Sequence, residues 1–417
     1  MQTQPSHSTE NSPYAILRNR NYLLYLIGRF IASVGNQMLT VAVGWELYER
    51  TGSALALGFV GVAQILPMFL FTLPAGHWAD HHPRKRIMIW MTGVHMLSSL
   101  GLSFVSAFQA PVPWMYACLF LAGTARTFFW PASASFLPQL VGPVDFPRAV
   151  AWSTGSFHLS SVAGPAVAGA WLAWSHRAAD IFTFNVGATI VCLILVNLVQ
   201  CRETPSPRQP MSLKSLITGF QFVWSNRIIL GTITLDLFAV LLGGATALLP
   251  IYAKDILHAG PSGLGYLQAA LPLGSLVSSI FMAHRAPMER AGRALFVSVA
   301  IYGVATILFG LAKVLWVAWA ALFVCGLADN VSVIIRHTLV QMLTPDEKRG
   351  RVSAVNSLFI GTSNELGGFE SGVVAHQFGP VFAAVSGGVG TILVVFIIAW
   401  IWPEIRRYGR LNAPRQT

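Results

Sequence analysis

Seven charged side chains stand inside long apolar runs of this sequence: Arg29, Arg126, Asp236, Asp329, Arg336, Glu365 and Glu370, with Glu46 nearer the end of its run. A charge at the centre of a bilayer costs at least ~2.5–3.5 kcal/mol on insertion scales, so each needs a reason to be there. Arg126 and Asp329 are the most informative. Each sits mid-run, they lie 203 residues apart, and they are opposite in sign. Two chemistries suit them. Either they face a central cavity and bind a substrate or exchange a proton with it, or each belongs to a buried structural ion pair. A proton-carrying carboxylate must be protonated from one side and emptied to the other. Desolvation favours the neutral acid and a nearby guanidinium the charged one, so a change of surroundings toggles the group. Asp329 leads these candidates, Glu365 follows, and Asp236 and Glu46 complete them. His158 also titrates, although such a histidine is more often simply hydrogen-bonded within a bundle. Arg29, Ser33, Asn36, Gln37 and Thr40 recur at helical spacing and share a face, which must look onto a water-filled cavity or another helix.

The elements that position these residues follow from composition. The chain has 417 residues, 54% hydrophobic and 10% charged, with mean hydropathy +0.60. A soluble domain carries about 25% charge, so this is a polytopic membrane protein. The apolar runs are far longer than barrel strands, and about 20 residues make a spanning helix. Twelve spans are expected, at about 22–48, 55–75, 87–108, 112–137, 149–174, 181–201, 228–253, 264–283, 294–312, 314–339, 352–375 and 381–402. The predicted organisation is a polar tail (1–21), a six-helix bundle (22–201), a Pro-rich linker with a short amphipathic surface helix (202–227), a second six-helix bundle (228–402) and a basic tail (403–417).

The net charge of +11 is explained by position. Of 27 Lys and Arg, 20 fall in the tails and loops of one side, four (Arg50, Arg177, Lys254, Lys313) on the other, and three (Arg29, Arg126, Arg336) within spans. That asymmetry predicts both termini in the cytoplasm and argues against nucleic acid as the partner. Cys118, Cys192, Cys201 and Cys325 form no C-x-x-C pattern and predict no disulfide framework. Residues 1–20 are polar and the first apolar run is too long for a signal-peptide core, so no cleavable leader is expected.

The second half repeats the first. Leu57-Gly58-Phe59 corresponds to Leu264-Gly265-Tyr266, Leu137-Pro138-Gln139 to Leu339-Val340-Gln341, Pro143 to Pro345, and Gly164 to Gly367, at offsets of 202 to 207 residues. Asp80 of the basic stretch Gly76–Arg86 (GHWADHHPRKR) is matched by Glu289, which opens Glu289-Arg290-Ala291-Gly292-Arg293. Parallel six-helix repeats are a known transporter plan, with the site at the midplane between them. In the fifth span, Gly155, Gly164-Pro165 and Gly169 permit close helix approach or bending; tight packing and a gating role both account for them. Phe128, Phe129, Trp130 and Trp45 suit an aromatic pocket, a lipid face or an interfacial belt equally.

The stretch Gly76–Arg86 resembles the loop signature of the major facilitator superfamily, G-x-x-x-D-R-x-G-R-[RK]. Gly76, Asp80, Arg84 and Lys85 match; His81 replaces the family's Arg and Pro83 its Gly. The second copy retains both Arg290 and Gly292. Gly123–Pro131, Leu137-Pro138, the Tyr48–Gly52 segment YERTG and the Gly-Pro step of span five are similar to the enterobactin-exporter-like branch. The resemblance covers about residues 15–403. It implies an all-α membrane protein of twelve transmembrane helices in two pseudo-symmetric six-helix bundles, in the cytoplasmic (inner) membrane of a bacterium. It also implies export of a small molecule by proton antiport, and a conformational latch at Gly76, Asp80, Arg84, Glu289, Arg290, Gly292 and Arg293. An anionic catecholate siderophore suits Arg126 and the aromatics, while a cationic or neutral drug suits Asp329 and Glu365. The alternative to export is proton symport for uptake, since direction is not a property of fold. A monomer is expected, with the lipid bilayer, protons and the small-molecule substrate as its partners.

Enzymatic readings find little support. There is no G-x-x-x-x-G-K-[ST] for ATP and no H-E-x-x-H, and no nucleophile motif of the G-x-S-x-G kind. No cofactor is expected. Two adjacent loop histidines, His81 and His82, are too few ligands for a metal.

Overall fold

The computed structural model describes residues 14–142, 144–201, 213–284 and 288–409; within its helices the side chains of residues 79, 80, 213–216 and 346 are not described. The helices are α1 (Arg20–Thr51), α2 (Ala54–His81), α3 (Arg84–Ala107), α4 (Pro113–Leu140), α5 (Phe146–Ser175), α6 (Ala178–Leu198), α7 (Leu213–Ser225), α8 (Arg227–Leu242), α9 (Leu249–Ile251), α10 (Gly260–Ala283), α11 (Ala291–Leu311), α12 (Leu315–Leu343), α13 (Asp346–Phe378), α14 (Pro380–Ile401) and α15 (Pro403–Arg406). No strand occurs among the described residues. The protein is thus all-α, with α1–α6 forming one set of six membrane-length elements. A second set comprises the segment from α8 to residue 256, then α10–α14. Buried backbone polar groups must pair locally in lipid, which long helices achieve alone.

Several boundaries differ from the sequence expectation, each for a local reason. Asn19 caps α1: its side-chain oxygen accepts from the backbone N–H of Asn21 at 3.0 Å and Tyr22 at 3.2 Å. Ahead of it, Ala15–Arg18 forms a 3-10 turn with Ile16 buried, so the expected polar tail is folded from residue 14. The basic stretch is largely helical: α2 runs through Gly76 to His81 and α3 begins at Arg84, because Pro83 disfavours helix in the residue before it. The seventh span is broken. After α8 come Gly243 and Gly244, a 3-10 turn (Ala245–Leu248), α9 and a π-helical turn (Tyr252–Ile256). Asn226 separates it from α7 by accepting from Ile228 and Ile229 N–H, both at 3.2 Å. Part of the expected basic tail is ordered as well. The N–H groups of Ala291 and Gly292 donate to the carbonyls of Gly409 (3.2 Å) and Tyr408 (3.3 Å).

The chain divides into two compact units. One comprises Met1–Leu39, Pro67–Gly164 and Ala179–Pro210; the other comprises Thr40–Leu66, Pro165–Ala178 and Met211–Thr417. The core of the first gathers Tyr22, Tyr25, Met88, Met91, Phe136 and Ala149. The second has two clusters, one around Leu235, Leu295, Ile335, Leu339 and Ile398, the other around Val223, Ile229, Val340 and Val355. The second unit includes the α1 and α2 segment 40–66 and the α5 segment 165–175, whose Gly44, Gly58, Gly61 and Gly169 lie close against α9, α13 and α10.

Candidate functional site

In the first unit the polar face of α1 is divided between two tasks. Ser33 shares a hydrogen bond with Ser160 at 2.7 Å, and the Gln37 amide donates to Ser161 at 2.7 Å, both on α5. At this crossing Gly164 has no room for a side chain, since a Cβ there would lie 2.6 Å from Gln37 Cβ. Ser33, Gln37 and Gly164 therefore join two helices. Asn36 and Thr40 are exposed on the bare chain. Arg29 stands over the Phe129 ring of α4, 4.6 Å from its centroid, a contact that stabilises a guanidinium away from water. Arg126, on the same α4, is exposed. Among the aromatics, Phe128 packs against Phe71 and Trp78, Trp45 is buried, and Trp130 is exposed.

In the second unit the corresponding helix pair is tied by charge. Asp236 of α8 and Arg336 of α12 form an ion pair, with side chains 10% and 3% exposed. Asp329 lies seven residues before Arg336 on α12, two helical turns or about 10 Å away. It has no hydrogen-bond or ion-pair partner among the described residues; Asp236 and Arg336 are its charged neighbours. Tyr302 of α11 also lies in the field of Asp329 and Asp236, and its hydroxyl donates to the Gly243 carbonyl at 3.1 Å, where the seventh span breaks. Two correspondences emerge by repeat register. Arg29 in α1 is replaced by Asp236 in α8, 207 residues on, and Arg126 by Asp329. The first repeat thus carries cations at both places and the second carries acids. Sequence reading identified only the second pair. The first was accessible from the same offset.

The second unit also contains two close glycine crossings between helices. Gly58 of α2 meets Gly372 of α13, where a Cβ on Gly372 would stand 2.8 Å from Gly58 Cα. Gly169 of α5 meets Gly265 of α10 with the same 2.8 Å clearance to each other's Cα. These crossings are related by the repeat, since Gly58 corresponds to Gly265 and Gly169 to Gly372, the latter 203 residues apart. A few residues along, Gly61 abuts the Glu365 backbone carbonyl, and the Phe59 and Phe369 rings pack 5.6 Å apart. Glu365 is partly buried on α13 at this crossing. Glu370 accepts from Ser371 at 3.4 Å. Glu46 is buried and ion-paired with Arg50 one turn on. Of the other span-five residues, the Pro165 carbonyl oxygen would stand 2.5 Å from a Cβ on Gly265, and Gly155 has no heavy atom within 4 Å of its would-be Cβ.

At the basic loops the two copies differ. Gly76 is buried near the end of α2 and Arg84 opens α3; the Asp80 side chain lies outside the description. Lys85 donates to the carbonyls of Asn197 (2.8 Å) and Val199 (2.7 Å), at the C-terminal end of α6, where a cation is favoured by the helix dipole. His81 and His82 bond backbone carbonyls of their own helix. In the second copy Glu289, Arg290 and Arg293 are exposed, and Gly292 is pressed against the Ile405 carbonyl. All four cysteines are free thiols.

The family model described as Major Facilitator Superfamily matches residues 25–368. The chain is 27% identical over 386 residues to the enterobactin exporter EntS of Citrobacter koseri, covering 92% of each chain. It is likewise 27% identical over 397 residues to the enterobactin exporter EntS of an Escherichia coli strain, covering 94% of each. Among solved structures it resembles a bacterial homologue of the iron transporter ferroportin in an inward-facing state. The TM-score is 0.71 at 18% identity, over 92% of this chain and 99% of that one. At that identity the likeness speaks to the fold alone.

Proposed function

Because this chain belongs to the major facilitator superfamily, and is a multi-pass membrane transporter rather than an enzyme, we propose that it exports a small molecule across a bacterial cytoplasmic membrane by proton antiport. The observation that carries the mechanism is the pair of glycine crossings, Gly58 with Gly372 and Gly169 with Gly265. Each joins a helix of one repeat to a helix of the other, and the repeat exchanges one crossing for the other. A seal of this kind suits alternating access, in which the two repeats rock about a site near the midplane. With both termini cytoplasmic, as the distribution of Lys and Arg supports, the sealed end faces outward.

Asp329 is the leading coupling group. Arg336 is committed to Asp236, which leaves Asp329 a partly buried acid without a direct partner among the described residues. A carboxylate so placed changes protonation state when its access to water changes. On the first repeat, Arg126 and Arg29, beside Phe129, suit an anionic aromatic substrate. The enterobactin exporters similar to this chain are named for a siderophore, and a catecholate siderophore is the substrate class we favour.

The test is flux in proteoliposomes under an imposed pH gradient. A catecholate siderophore should be driven opposite to proton flow. Arg126→Ala should reduce substrate flux at least tenfold, and Asp329→Asn should uncouple flux from the gradient. Substrate and proton moving in the same direction would replace export with uptake. Full coupled flux in both variants would remove these residues from the mechanism.

A further inference from the structure

The YERTG segment, Tyr48–Gly52, closes α1, and the transport cycle proposed above makes no use of it. Several of its residues are nonetheless engaged. The Tyr48 hydroxyl donates to the Asp255 carboxylate, 207 residues away in sequence. The Lys254 ammonium stands 5.8 Å from the Tyr48 ring centroid. Glu46 and Arg50 pair along the same helix, and the Thr51 hydroxyl donates to the Leu47 carbonyl at 2.7 Å. Gly52 turns the chain toward α2 at φ +59°, with open space where a Cβ would stand, so backbone conformation and not room selects glycine there.

The partner side is equally specific. Lys254 and Asp255 belong to the π-helical turn Tyr252–Ile256. A π-turn inserts one residue into the helical ladder and re-aims the side chains it carries; such turns are frequent at functional sites. A few residues before Tyr48, Gly44 packs on Pro250, where an added Cβ would stand 3.2 Å from the proline ring. The hydrogen bond therefore lies at the sealed end, and it joins the first span of one repeat to the seventh span of the other.

We propose that Tyr48 and Asp255 form a latch that holds this end closed and must part for it to open. This rests on the alternating-access reading. A bond between helices that stay together stabilises every state equally and shifts no population. A bond between helices that separate favours only the closed state, and breaking it moves the balance toward the open one. Tyr48 is buried whereas Asp255 is exposed, so the effect is that of one partly solvated hydrogen bond, roughly fivefold in population.

The experiment uses the full chain in nanodiscs, where reagent reaches both faces. Ala54→Cys supplies a reporter at the seal: Ala54 is buried, and its carbonyl lies 2.9 Å from where a Gly372 Cβ would stand. Its alkylation by a charged maleimide is measured above the background of the parent chain with its native thiols. Tyr48→Phe and Asp255→Ala should each raise the rate roughly fivefold. The double variant should do no more than either alone, and Asp255→Asn, which keeps an acceptor, should raise it less. Unchanged rates in Tyr48→Phe and Asp255→Ala, additive rates in the double variant, or a rise in only one of the two overturns the latch. If Asp255→Ala fails to insert, the near-isosteric Tyr48→Phe and Asp255→Asn decide alone: a rise in the first larger than in the second supports it, and no rise in the first overturns it. Proton-linked flux in the parent is measured separately. Flux with unchanged alkylation rejects the latch alone; raised alkylation without flux rejects the export reading and retains the latch.

Discussion

Asp236 and Arg336 illustrate how little a single charged residue reveals about its own role. Each is expensive in a bilayer alone; together they cancel. Removing one partner of a buried pair leaves an uncompensated charge, at a cost of about 3–5 kcal/mol, whereas replacing both by apolar residues is often near neutral. Asp236→Ala and Arg336→Ala should therefore lower the thermal midpoint sharply, and the double substitution should recover most of the loss, as read by fluorescence melting in detergent. Asp329→Asn should leave that midpoint nearly unchanged, because no ion pair or hydrogen bond among the described residues is lost. If Asp329→Asn melts as early as Arg336→Ala, Asp329 is structural and the coupling role falls. Arg29 belongs to a third category, a cation held by a ring. Arg29→Lys keeps the charge but loses the planar stacking, and should weaken substrate flux without changing its proton coupling.

At the scale of the helix, glycine separates packing from decoration. An added Cβ at Gly326 of α12 would run into the Leu271 carbonyl, and one at Gly274 of α10 into the Phe323 carbonyl. Backbone cannot yield as a side chain does, so Gly326→Ala should cost about 1–3 kcal/mol in the melting experiment, while Gly155→Ala, in open space, should cost nothing measurable. Gly169→Val tests the sealed end differently. It should preserve expression but obstruct closure of the α5–α10 crossing, so transport falls while the reporter at Ala54→Cys becomes more reactive. The span-five glycines are thus individuals. Gly164 fits against α1, Gly169 against α10, and Gly155 against nothing within 4 Å.

Across the whole molecule, the distribution of 20 of 27 Lys and Arg to one side should place both termini in the cytoplasm. Tags at each end should be labelled only after the cytoplasmic face is opened, and labelling of either end in intact cells would reverse the assignment of the sealed end. Much of the architecture is legible in the sequence. Apolar length sets the number of spanning segments because hydrophobic transfer is additive along a run. The repeat is readable because duplicated residues keep their spacing, as Gly58 and Gly265 do. The helix ends were less legible. They depend on caps such as Asn19 and Asn226, and on the break after Leu242, which hydropathy does not register.

What the sequence determined by itself was the material: twelve membrane-length helical segments, a duplicated six-helix plan, and a short set of charges that apolar surroundings make costly. What only the tertiary structure decided was the pairing of those charges and glycines. Arg336 bonds Asp236 and not Asp329, Ser33 and Gln37 serve α5, and Tyr48 meets Asp255. Hydropathy is a sum over neighbours along the chain, and sequence carries it in full. Pairing depends on which helices cross and at what rotation, and residues a hundred or more positions apart acquire that relation only when the chain is packed.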